Sequence, residues 1–300
     1  MMTAEELREP PPLPWRRVMY WLVRRELWEH RAIVAAPVII AGVGMIGFLL
    51  STIALPSALR AVARGDAGHR ALVLGPYSFM ALAVLLVGLL VAATYSLGAL
   101  QGERRDRSLL FWKSLPVSDG MTVLSKAVVP ILVTPVVTFA VVFAAQLLML
   151  AWSTVVVVAN GISPMTLWAQ VKLDTMWLVL PYGLVINAFW QAPVYAWFLL
   201  VSAWSRRMPI LWALGPFLAP ALIEAMAFRT SHVGHFIVVR LMGGLAQAFS
   251  VGGKAQQAVD SVSQLDPGHI LAEPDIWVGL LFAAGFLAAA AWLRRRREPN

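Results

Sequence analysis

QGERRDRSLLFWKSLPVSDGMTVLSK, residues 101–126, is a densely charged stretch between two long apolar runs, with four large apolar side chains in succession at its middle. Leu109, Leu110, Phe111 and Trp112 are costly to leave bare in water, and folded surfaces seldom keep such a patch uncovered. Arg and Lys on both sides mark the stretch as a loop outside the hydrocarbon. Two covers suit it: a partner protein, or the headgroup layer, where Trp and Phe are favoured.

Outward from this loop, six stretches are long and apolar enough to cross about 30 Å of hydrocarbon, which takes about 20 helical residues. They are 32–55, 76–100, 127–154, 177–204, 209–228 and 276–293. The expected fold is an all-α polytopic membrane protein, with a cytoplasmic N-terminal region (1–31), a transmembrane domain (32–293) and a basic tail (294–300). Composition agrees: 59% of residues are apolar and 13% charged, against about a quarter charged in soluble domains. Pro130, Pro135, Pro181, Pro193, Pro216 and Pro220 fall inside spans, so kinked or broken helices are expected in spans three to five. The chain has no cysteine, which excludes disulfides, thiolate chemistry and Cys-ligated metals. The N-terminal MMTAEELREPPPLP is acidic and Pro-rich, with no cleavage motif after an apolar core, so no removed signal peptide is expected.

The net charge of +8 would suit nucleic acid were the cations not gathered at the ends of apolar segments, which is membrane topology. With the N-terminus inside, 17 of the 24 Lys and Arg are cytoplasmic, among them Arg16, Arg17, Arg104, Arg105, Lys126, Arg206, Arg207 and Arg294 to Arg297. Both termini are therefore expected in the cytoplasm. The stretch VGHFIVVRLMGGLAQAFSV, 233–251, carries Arg240 and a Gly243-Gly244 break. It reads as part of an outer re-entrant or interfacial helix pair, about 229–260. In WRRVMYWLVRRELWEHR, residues Trp15, Val18, Met19 and Leu22 share one helix face and Arg17, Arg24 and Arg31 the opposite one. An amphipathic helix on the inner leaflet is expected, the alternative being an extension of span one.

Within the loop, Glu103 and Arg107 stand at i,i+4, as do Asp106 and Leu110, which suits a short charged helix. Pro116 stops it, and Ser118 or Asp119 can cap the helix leading into span three. The string ERRDRSLLFWKSLPVSDGMTVLSK resembles the first cytoplasmic loop of the permease subunits of type-2 ABC exporters. The resemblance covers residues 95–130 in particulars and the whole chain in layout. It implies a coupling helix docked in a groove of a separate ATPase subunit, which binds ATP and Mg. Glu103, Arg104, Asp106 and Arg107 would orient the loop, Leu109 to Trp112 with Lys113 would enter the groove, and Pro116 would end the element. It also implies two ATPase copies, a second permease (a copy of this chain or a paired one), and residence in the bacterial cytoplasmic (inner) membrane.

The chain lacks G-x-x-x-x-G-K-[ST]; Gly253-Lys254 is followed by Ala255. ATP binding by a phosphate loop is thus not expected on this chain. Glu224 is the acidic residue set among apolar neighbours in span five, and intramembrane carboxylates default to functional hypotheses. It is a candidate for an outer gate or substrate path, against a structural ion pair with Arg229 or a headgroup contact. Asn187 and Gln191, i,i+4 in span four, are candidates for the same path, although amides at this depth more often join helices, as Gln146 in span three would. Gly42, Gly44 and Gly47 permit close helix approach in span one. His232 and His235 lack the partners of a metal site, and no nucleophile elbow or acidic cluster supports a membrane enzyme. The expected function is the permease half of an ATP-driven exporter. Its rivals are an ion-gradient-driven secondary transporter, an integral membrane enzyme and an assembly factor.

Overall fold

A computed structural model describes residues 14–105, 117–171, 173–248, 268 and 272–296, and every regular element among them is helical. Helix α1 (Trp15–Glu29) leads into α2 (Ala32–Ser51), the short α3 (Leu55–Ala63) and α4 (Arg70–Arg105). Beyond the loop come α5 (Asp119–Ala159), the short α6 (Pro164–Trp168), α7 (Leu173–Trp204), α8 (Pro209–Ala227), α9 (His232–Ala248) and α10 (Pro274–Arg296). Helices α2, α4, α5, α7, α8 and α10 are the six long and apolar enough to cross a membrane.

Their outer surface fits only an apolar solvent. Leu50, Leu90, Leu148, Leu222, Met226 and Leu281 are all exposed, Met226 at 83%. Continuous apolar exposure on this scale is untenable in water. The protein is membrane-integral.

Local chemistry explains where the helices depart from the expected spans. The first span ends at Ser51 rather than 55, because Ser51 and Thr52 hydroxyls donate back to Phe48 O and Leu49 O. The chain then turns into α3, whose Leu55, Ala58 and Leu59 are buried. The second span begins at Arg70 and runs through Pro76. In α5 the expected distortion takes a definite form, a wide turn over Val129–Val133. Pro130 and Pro135 each remove an N–H from the ladder. Both the Thr134 N–H and its hydroxyl reach Val129 O instead. By contrast α7 continues through Pro181 and Pro193, and α8 through Pro216 and Pro220.

Helix α7 is the centre of the bundle, with 72% of its span buried. Ala192 and Ala196 meet Ala283 of α10, the small-residue approach on which membrane helices rely where lipid supplies no hydrophobic drive. Gly44 of α2 similarly admits Met80 of α4 from the same chain; a Cβ there would lie 2.9 Å from its methyl. A second core joins α2, α3, α4, α5 and α6 through Phe48, Leu59, Tyr77, Met149 and Leu167. Tyr77 Oη and Ser153 Oγ share a hydrogen bond at 3.0 Å within it. A third, with Ile33, Tyr95, Leu100, Val123 and Leu199, closes the end of the bundle next to the charged loop.

Candidate functional site

At this loop end a set of charged side chains leaves the solvent. Glu26 of α1, Glu103 of α4 and Lys126 of α5 are buried, as is Arg294 of α10. Lys126 Nζ donates to Glu26 Oε1 at 2.8 Å and lies 3.1 Å from Glu103 Oε1. The Tyr95 hydroxyl donates to Glu26 Oε2 at 2.8 Å. Arg294 closes the set: its Nη1 donates to Glu103 Oε2, and its Nε donates to Asp119 Oδ1 at 2.9 Å. Arg25 stands 3.6 Å from Glu103 and donates to Glu29 at 2.6 Å. Burial alone would lower the Arg25 guanidinium's pKa. The bonded Glu29, with Glu26 and Glu103 nearby, more than offsets this and holds it above its ordinary value.

The set ties both stems of the charged loop, Glu103 before it and Asp119 and Lys126 after it, to the helix that precedes span one and to the last span. Removing one partner of such a buried pair typically costs about 3–5 kcal/mol, because the other charge is left unpaired.

Of the loop residues singled out by sequence, Glu103 is in this cluster and Arg104 belongs to the last turn of α4. Asp106, Arg107, Leu109, Leu110, Phe111, Trp112, Lys113 and Pro116 lie outside the described residues. Between the two capping candidates the structure selects Ser118, whose Oγ accepts from Met121 N at 3.2 Å. Asp119 is turned to Arg294.

The other cluster members were missed by sequence reasoning. In the sequence Lys126 and Arg294 stand out only as topology signals at the ends of spans. Glu26 left a readable trace, standing on one α1 face with Val18 and Leu22, where a carboxylate needs a partner. Helix α1 is a separate helix, not an extension of span one, for the chain breaks at His30 (φ −111°, ψ 64°). It buries Leu22 and Glu26 against the bundle and leaves Trp15 exposed. Its outer face carries Arg17, Trp21, Arg24 and Trp28, with the Arg24 guanidinium 5.1 and 4.8 Å from the two indole centres.

The intramembrane candidates do not converge. Glu224 faces no arginine among the described residues. It receives Thr230 Oγ1, His232 N and His232 Nδ1 on one oxygen at 2.8 Å and Val233 N on the other at 2.7 Å. It thus caps the start of α9, where a helix presents unpaired N–H groups. Gln191 Nε2 donates to Leu241 O of α9 at 2.6 Å. Asn187, one turn away, instead faces α4 and α5 beside a cavity of about 10 Å³ with Gly88, Pro130, Thr134, Thr138 and Tyr195. That is room for at most one water. Asn187 Oδ1 and Gln146 Oε1 have no partner among the described residues. Helix α9 runs unbroken through Gly243 and Gly244, against the expected break. Gly243 instead lets α9 approach Trp190, whose ring lies 3.2 Å from where a Cβ would stand.

Glu26, Glu29 and His30 bring potential ligand atoms within 4.8 Å of one another. Both Glu26 oxygens are already engaged by Lys126 and Tyr95, and Glu29 by Arg25. This geometry is that of an ion-pair network rather than a metal centre. The chain matches no family profile, no curated protein and no solved structure.

Proposed function

We propose that this chain is the membrane-spanning half of an ATP-driven exporter, energised by a separate ATPase that docks on the loop 101–126. In this reading both termini and the loop face the cytoplasm, α9 belongs to an outer re-entrant element, and ATP and Mg reside on the partner. One observation carries it. The loop is rooted in a buried ion cluster joining Glu103, Asp119 and Lys126 to Glu26 of α1 and Arg294 of α10. Displacement of a loop so anchored moves α1, α4, α5 and α10 together, because separating them would unpair buried charges. ATP-driven closure of the partner then biases two packings of the bundle. The chain performs no chemistry itself in this scheme; it passes motion from the loop to the spans and shapes the path.

Phe111→Asp and Trp112→Asp test the reading. Full-length chain purified from its native membrane should bring down a soluble subunit with a phosphate-loop motif, and either substitution should abolish that capture while the chain stays folded. Normal capture and normal transport in both variants would sink the proposal.

A secondary transporter is the second reading, favoured by the burial of the ionisable Glu26, Glu103 and Lys126 at one end of the bundle. Uptake into ATPase-free proteoliposomes driven by a pH gradient alone would favour it instead.

A further inference from the structure

Arg240 occupies a place where an arginine is expensive. It lies on α9 against Trp190, midway along the span Trp177–Trp204, and against Gly279, about 8 Å along α10 from its start at Pro274. Its Nη2 donates to Trp190 O at 2.8 Å, its Cζ lies 4.8 Å from the Trp190 ring centre, and Trp190 Nε1 donates back to Arg240 O at 2.9 Å. Glycine at 279 of α10 makes the space; a Cβ there would stand 2.7 Å from Nη2.

A guanidinium has five N–H donors, and among the described residues only the carbonyl of Trp190 receives one. Among the described residues no carboxylate is within ion-pair distance, and Asp275 at the start of α10 acts on it only through space. A structural latch would be satisfied by a neutral donor. A full positive charge at this depth, half-buried and left with unspent donors, calls for an anion. On the same α9 stretch, Phe236 and Val239 are exposed apolar side chains. The surroundings therefore suit a charged head joined to an apolar body.

We propose that Arg240, braced by Trp190, is a recognition point for an anionic group, a phosphate or carboxylate, carried on an amphiphilic molecule that lies against the bundle beside α7 and α9. The inference rests on the transport reading, to which it adds a substrate class.

Native mass spectrometry of the full chain in detergent tests it, titrating phosphatidylglycerol, phosphatidylcholine and inorganic phosphate in separate arms. The chain should hold one phosphatidylglycerol about tenfold more tightly than Arg240→Gln does, the discrimination expected of a charge-assisted fork, and it should not select phosphatidylcholine. Displacement of that lipid by inorganic phosphate would make a free anion the ligand; no displacement would make it lipid-borne. Should Arg240→Gln fail to fold, Arg240→Lys carries the test. A point charge without the planar fork should bind several-fold more weakly, with hydrogen exchange of α9 reporting that the helix is intact. Equal phosphatidylglycerol affinity in wild type and a folded variant, or equal retention of both lipids, overturns the proposal. Binding is measured on the chain alone. Failure therefore leaves ATPase coupling untouched, and failure of coupling leaves the binding result standing.

Discussion

Replacing Lys126 by methionine keeps the length of the side chain and removes the ammonium that Glu26 and Glu103 share at 2.8 and 3.1 Å. The two carboxylates are not equally harmed. Glu103 keeps Arg294 and, more distantly, Arg25. Among the described residues Glu26 keeps only the Tyr95 hydroxyl, His30 at 3.7 Å and, through space, Arg25, so it is the charge left stranded. The cost of stranding one buried charge is about 3–5 kcal/mol. At roughly 2–4 °C per kcal/mol, the scaling for soluble chains somewhat shorter than this one, the melting temperature should fall by about 10 °C. The assay is loss of folded full-length protein with temperature in detergent. Adding Glu26→Gln to Lys126→Met should recover more than half of the loss, because a neutral amide no longer needs the ammonium. A fall under about 2 °C, within what ordinary surface substitutions produce, or further damage from the second substitution, would refute the argument that these charges are buried and coupled.

Glu224→Gln should leave the bundle assembled and speed hydrogen exchange at the His232 and Val233 amides, which donate to the carboxylate. Unchanged exchange there would remove the capping role, and unchanged transport would remove Glu224 from the path. Gly88→Ala should force α4 from α5, since its Cβ would lie 2.5 Å from Thr138 Oγ1. The cost is about 1–3 kcal/mol, as for other overpacked sites, and Thr138→Ala in the same chain should restore most of the melting temperature.

The spans were readable because length and missing charge are properties of a single segment. The ends of the spans were less so. Nothing in a hydropathy run says that Ser51 and Thr52 will turn their hydroxyls back on the helix, or that α4 will run through Pro76. The π-type turn at Val129 was legible as a disturbance from Pro130 and Pro135, not as a geometry. The ion cluster was nearly invisible for a different reason. Its pairs join residues 100 apart, as Glu26 and Lys126 are, or 191 apart, as Glu103 and Arg294 are. Each cation alone looks like an ordinary topology marker at the end of a span. Arg240 hid in the same way, for its partner Trp190 stands 50 residues away on another helix.

The pairing of Arg294 with Glu103 and Asp119 also bears on how the chain is made. Glu103 and Asp119 are synthesised well before Arg294, and until it arrives two carboxylates at the root of the loop lack their guanidinium. A half-synthesised bundle therefore carries an electrostatic defect that only the last span repairs. Chains stalled or cleaved before Arg294 bear that defect permanently, which gives membrane proteases a physical basis for telling unfinished copies from finished ones.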